Sequence, residues 1–287
     1  MKTRSITQGA MSVALYGLLL LLNQQTGFAI ESMLSWVFIL PLLLYTAKEG
    51  GYAGFVTGIA MGLLSFFFGS FTTWFYSWTA LFIGFVYGVG VFKKARHSTN
   101  FVICFVLSVI MYMCMIYLWA AIFGYDLHAD FDTLSRLIPF IDFSSFCVVF
   151  IVLMALLQTL CIHMISILAC HRLRIDIRPI GSLSLIHGNP LLGIVSLAIW
   201  VLFLFGQNML EYSIYTNGIR MAFFLDFIVL DGLGAIVLMD FGVRYRIRLF
   251  SFLAVIGAFI PILNLIWIFL GELDCLFSIR KSWNVRG

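Results

Sequence analysis

The chain has 287 residues, of which 62% are hydrophobic and only 10% charged, and its mean hydropathy is +1.06. Soluble domains run nearer half apolar and a quarter charged, and no polar stretch here is long enough for an independent soluble core, so the composition excludes a soluble protein. The net charge of +4 sits in short loops beside apolar runs, where it sets membrane orientation and meets lipid headgroups rather than calling for nucleic acid.

A helix needs about 20 apolar residues to cross a bilayer. Nine runs are candidates: Gln8–Leu22, Met33–Thr46, Tyr52–Gly69, Trp74–Phe92, Phe101–Phe123, Ser145–Ala169, Leu191–Gln207, Met221–Met239 and Leu249–Leu270. The first continues into further spans without a cleavage site, so it is read as a span and not as a removed signal. The second is short and carries Pro41; the ninth carries Pro261 and Asn264. Basic residues fall in alternate loops: Lys2 and Arg4, Lys48, "KKARH" (Lys93 to His97), "HRLRIDIR" (His171 to Arg178) and "RYRIR" (Arg244 to Arg248). Glu31, the acidic "YDLHADFDTL" (Tyr125 to Leu134) and Glu211 fall on the other side. Positive-inside asymmetry places the N-terminus in the cytoplasm of a multi-pass cell-membrane protein. The basic tail after the ninth run disagrees with that alternation, which leaves the side of the C-terminus open.

Small residues mark where membrane helices touch, because helix association in lipid relies on close backbone approach. Gly50, Gly54, Gly58 and Gly62 recur every four residues, and Gly84 and Gly88 repeat the spacing in the next span. These read as packing ridges. Ala10, Ala14 and Gly17 form a similar ridge on the first span, facing either another helix of this chain or a separate subunit. The six cysteines (Cys104, Cys114, Cys147, Cys161, Cys170 and Cys275) lie in or beside apolar runs with no C-x-x-C pair. They read as small hydrophobes rather than disulfides or metal ligands.

The polar residues inside spans are the candidates for chemistry. Asp226 and Asp231 each cost about 2.5–3.5 kcal/mol at a helix centre, against about 0.3–0.6 returned by each Leu, Ile, Phe or Val. That near-balance predicts a helix inside the bundle. The two are about 140° apart around the helix, so they cannot share a proton as an acid dyad does. They serve either an ion or proton relay or a buried hydrogen-bonded role, with Gln158 and His163 as the other deep polar groups. Asp126, His128, Asp130 and Asp132 alternate, so an extended segment would present them together to a divalent cation; otherwise they are a solvated acidic loop. Trp74, Tyr76 and Trp78 form an aromatic belt or the roof of a ligand pocket, with Asn23, Gln24 and Gln25 as polar neighbours. No nucleotide-binding glycine loop, H-E-x-x-H or G-x-S-x-G is present, so no enzyme activity and no cofactor are expected.

Three stretches carry a resemblance. "GAMSVAL" (Gly9 to Leu15) resembles the first-helix Ala-x-x-x-Ala motif of the substrate-binding S components of energy-coupling factor (ECF) transporters. "PLLLYTAKEGGYAGFVTGIAMGLLSF" (Pro41 to Phe66) resembles the second-to-third-helix signature of that superfamily. Over nearly its full length, ending in "GELDCLFSIRK" (Gly271 to Lys281), the chain resembles the YybS-like family of bacterial membrane proteins of unknown function. The resemblance implies an S-component-like six-helix core over residues 1–175 and a C-terminal extension of two to three helices over 176–287, eight to nine spans in all. It implies a bound small solute or ion, and docking of a transmembrane coupling subunit, driven by ATPases, on Ala10, Ala14 and Gly17. The competing expectation is a membrane interaction or assembly protein with no transported substrate.

Overall fold

The computed structural model describes residues 3–68, 70–118, 121–122, 124, 131, 142–179, 188–206, 214–257 and 261–280. Among these residues every regular element is helical, as an all-α membrane bundle requires. The helices are α1 (Thr3–Gln25), α2 (Ala29–Leu34), α3 (Leu40–Glu49), α4 (Gly51–Phe68), α5 (Phe71–Phe92), α6 (His97–Met113), α7 (Phe143–Arg172), α8 (Pro190–Gly206), α9 (Ile214–Arg244), α10 (Arg248–Gly257) and α11 (Pro261–Phe277). Six are long and apolar enough to cross a membrane: α1, α4, α5, α6 with its π-helical extension to Leu118, α7 and α9. The protein is an integral membrane protein.

The second, seventh and ninth runs depart from single spanning helices. The second is broken into α2, a 3₁₀ turn over Ser35–Ile39 and α3. Pro41 explains the restart, because it lacks an N–H and is tolerated only in a first helical turn. The seventh, α8, has 17 residues. The ninth divides into α10 and α11, and α11 starts on Pro261 for the same reason.

The chain forms two compact units, Met1–Tyr125 with Met154–Ile180, and Asp126–Leu153 with Gly181–Gly287. The first unit packs around Tyr16, Leu20, Ile39, Leu42, Leu43 and Met61, all at most 1% exposed. Gly50 adopts φ +93° and joins α3 directly to α4; an L side chain is strained there. It is therefore the corner of a helical hairpin rather than the first step of the glycine ridge. Gly54 lies under Thr46, Gly58 under Leu42 and Gly62 under the Trp78 ring, so the ridge receives α3 and α5. Gly84 and Gly88 admit the carbonyl oxygens of Ile39 and Leu43.

One end of this unit is basic. Lys94 pairs with Asp176, and the His97 ring lies 2.7 Å from the Arg178 carbonyl oxygen through Nε2. The "KKARH" and "HRLRIDIR" segments therefore meet at one end, as the charge alternation predicts.

The second unit is built on a different contact. A Cβ on Gly234 of α9 would lie 1.8 Å from the Trp267 carbonyl oxygen of α11, and one on Gly271 would lie 2.2 Å from that of Leu230. Each helix thus offers a glycine to the other's backbone. The Trp267 indole donates to the Ala254 carbonyl at 3.0 Å and ties α10 to α11. The expectation that α9 sits deep in the bundle is not met: 17% of its most apolar stretch is buried, the lowest share among the six spanning helices.

Candidate functional site

The first unit contains a small, largely apolar chamber with a few polar groups at the end opposite its basic loops. It is lined by Glu31 of α2, Ser35 and Phe38 of the 3₁₀ turn, Thr73, Tyr76, Ser77 and Ala80 of α5, and Met111 of α6. The turn at Gly27 and Phe28 adopts left-handed backbone and folds α2 back beside the end of α1. This lets Asn23 grip Glu31 twice: its amide donates to the carboxylate at 3.0 Å, and its carbonyl accepts the Glu31 backbone N–H at 2.9 Å. Thr73 donates to the same carboxylate oxygen at 2.8 Å. No ion pair of Glu31 occurs among the described residues.

Further polar groups lie near the chamber. The Tyr16 hydroxyl lies within reach of Ser77 and Glu31, is buried and has no hydrogen-bond partner. Tyr76 also lies within electrostatic reach of Glu31. Tyr112, next to Met111, donates to Gln158 at 2.7 Å. The chamber has room for about one water molecule. Among the described residues it combines one carboxylate in no ion pair with several hydroxyls in an apolar frame.

Of the sequence candidates, Tyr76 lines the chamber, while Trp78 covers Gly62 and Trp74 packs edge-on to Phe66. Gln24 and Gln25 are exposed, and their neighbour Asn23 is the buried member of that run. His163 does not serve an aspartate: its Nδ1 meets the Tyr87 hydroxyl at 2.7 Å, with Phe101 and His97 edge-on around the ring. Gln158 serves Tyr112 in the same way. Asp126, His128 and Asp130 lie outside the described residues, as does Asp132. Glu31, Tyr16, Thr73 and Ser77 were missed as site residues. The signals for them were Asn23 and Glu31 flanking a Gly27 turn, and hydroxyls one helical turn apart in α5.

The first helix divides its small residues between two faces. Gly9 accommodates the Tyr45 hydroxyl and Thr57, and Gly17 accommodates Leu64, so both are buried within the chain. Ala10 and Ala14 are exposed, on a face shared with Ile6, Met11, Leu15 and Leu18.

In the second unit, Asp226 accepts hydrogen bonds on one oxygen from Ser196 at 2.7 Å and from the Trp200 indole at 2.9 Å. Two bonds to a charged acceptor contribute about 1.5–3 kcal/mol each, enough to offset the insertion cost of one aspartate. Asp231 is half-buried, and its Oδ1 has no partner. No protein-family model, no curated protein and no solved structure matches the chain.

Proposed function

We propose that this protein is a non-enzymatic, S-component-like subunit that binds a small solute or ion in the Glu31 chamber and docks a transmembrane coupling subunit on α1. The observation that carries the reading is the division of small residues on α1. Gly9 and Gly17 are occupied by the chain's own side chains, whereas Ala10 and Ala14 stand exposed amid larger lipid-facing residues. Lipid does not require alanine, and a smooth strip lets another helix approach closely. The chamber supports the ligand half of the reading. Its uncompensated carboxylate, phenols and hydroxyls complement a cation or an amine-bearing solute. The basic loops gathered at the opposite end support a chamber facing outward and an N-terminus in the cytoplasm.

The double substitution Ala10→Leu, Ala14→Leu fills the strip without disturbing the buried face. It is expected to abolish co-purification with an ECF-type coupling subunit and its ATPases while leaving the protein folded. Unchanged co-purification would remove the docking claim. The small size of the chamber favours a second reading, an assembly protein with no substrate. Mass spectrometry of the protein purified in mild detergent separates them, because a retained small molecule is compatible only with the first.

A further inference from the structure

Glu272 of α11 is 6% exposed, and both of its carboxylate oxygens are buried without a hydrogen-bond partner. It faces Ser196 of α8 and Asp226 of α9. Ser196 is fully buried and gives its only hydroxyl proton to Asp226 at 2.7 Å, leaving its lone pairs free to accept. Ser196 therefore lies between two carboxylates, bonded to one and within electrostatic reach, but short of hydrogen-bond geometry, of the other.

Among the described residues no ion pair neutralises Glu272 or Asp226. On α8 the neighbours are Ser196 and Trp200. On α9 they are Asp226 and, further along the helix on either side, Arg220 and Asp231. α10 carries one charged residue, Arg248, at its first position. Past Glu272 come Asp274, Cys275 and Arg280, and the Arg280 guanidinium is closed on Asp274 through Nε at 2.9 Å and Nη2 at 2.5 Å. Two carboxylates sharing a buried site cannot both be ionised without a cation between them. The Glu272 oxygens are buried and no further oxygen ligand among the described residues is bonded to them; a metal ion needs several such ligands, whereas a proton needs none beyond the pair.

We propose that Glu272 and Asp226 hold one exchangeable proton between them, bridged by the Ser196 hydroxyl. Glu272 O–H donates to Ser196 Oγ after a rotamer adjustment, Ser196 O–H donates to Asp226, and the Trp200 N–H holds Asp226 in register. Concerted transfer moves the Glu272 proton to Ser196 Oγ and the Ser196 proton to Asp226. One O–H bond is broken and one formed at the serine, and the total charge is unchanged. This makes the second unit a membrane-embedded proton site. It stands independently of the solute reading, which rests on other residues in the first unit.

The chain contains only four glutamates, Glu31, Glu49, Glu211 and Glu272, so infrared spectroscopy of the full-length protein carrying carboxyl-¹³C glutamate isolates the site. The expected result at neutral pH is a labelled C=O band of a protonated carboxyl, lost completely in Glu272→Gln and displaced in Ser196→Ala. No such band in the wild type, or an unchanged band in Glu272→Gln, overturns the proposal. A band that Ser196→Ala does not move overturns the bridge. Loss of the wild-type band when sodium chloride replaces choline chloride at constant pH overturns the proton in favour of an alkali ion. Should Glu272→Gln fail to fold, the wild-type spectrum and Ser196→Ala carry the test.

Discussion

The two compact units bury polar groups by different rules. In the first, buried side chains are matched as neutral pairs: Tyr45 with Ser5, Tyr87 with His163, Tyr112 with Gln158. The buried oxygens left over there are hydroxyls, those of Tyr16, Thr46 and Ser166. The second unit buries charge. Asp240, Glu272 and Asp274 are buried acids and Asp226 is a partly buried one, and unpartnered atoms include both oxygens of Glu272, Oδ1 of Asp231 and Nη1 of Arg280. An orphan hydroxyl costs a few kcal/mol at most. An orphan carboxylate in a membrane helix must find a proton or a counter-charge. Apart from Glu31 in its chamber, the first unit holds its shape through neutral pairs, whereas the second carries several acids that call for protons or counter-charges.

The largest effect that tests this contrast is at the charged pair. Arg280 and Asp274 are 0% and 1% exposed, and three hydrogen bonds from Arg280 reach the Asp274 carboxylate. Arg280→Met leaves a buried carboxylate alone and is expected to destabilise by about 3–5 kcal/mol, read as denaturation in detergent. Adding Asp274→Asn to that variant is expected to recover most of the loss. If the single and double variants are equally unstable, the charge pair is not what organises this end of the second unit.

Next comes the backbone crossing. Gly234→Ala and Gly271→Ala place a methyl against a carbonyl oxygen that already lies 1.8 Å and 2.2 Å from the Cβ position. Each is expected to destabilise by about 1–3 kcal/mol through overpacking. Gly232→Ala on the same helix meets nothing within 4 Å and is expected to be neutral or stabilising by about 0.5–1 kcal/mol. Thermal midpoints of the three variants read the difference, and equal behaviour would dissolve the crossing.

These residues also show what the sequence makes legible. Gly54, Gly58 and Gly62 lie on one helix and repeat at four, so spacing alone exposes them. Gly234 and Gly271 act as a pair across two helices, and no single-helix pattern links them. Asp226 stands out against leucine and phenylalanine, yet its donors Ser196 and Trp200 come from a different helix, where serine and tryptophan are unremarkable. Glu272 sits among Asp274 and Arg280 near the end of an apolar run, where charge reads as loop. The small residues of α1 were visible as a group. Which of them face inward depends on Tyr45, Thr57 and Leu64, on distant turns of chain. Hydropathy and spacing reveal elements and their faces, while partners across helices follow only from packing.

In the first unit the contrast turns on two phenols. Tyr87→Phe removes the 2.7 Å partner of His163 and is expected to destabilise by about 1–3 kcal/mol, because the ring nitrogen is left unpaired. Tyr16→Phe removes a hydroxyl that is buried and has no partner. Its loss leaves no other group unsatisfied, so stability is expected to stay level or rise by up to about 1 kcal/mol. That oxygen nevertheless lies beside Ser77 and Glu31, both of which line the chamber. A buried group that a protein leaves without a partner is explained when a ligand supplies one. If the chamber takes a solute, Tyr16→Phe should therefore lower solute retention through purification while the denaturation midpoint holds or rises. Loss of both would make Tyr16 a packing residue, and retention unchanged beside a raised midpoint would leave the hydroxyl without a role in binding.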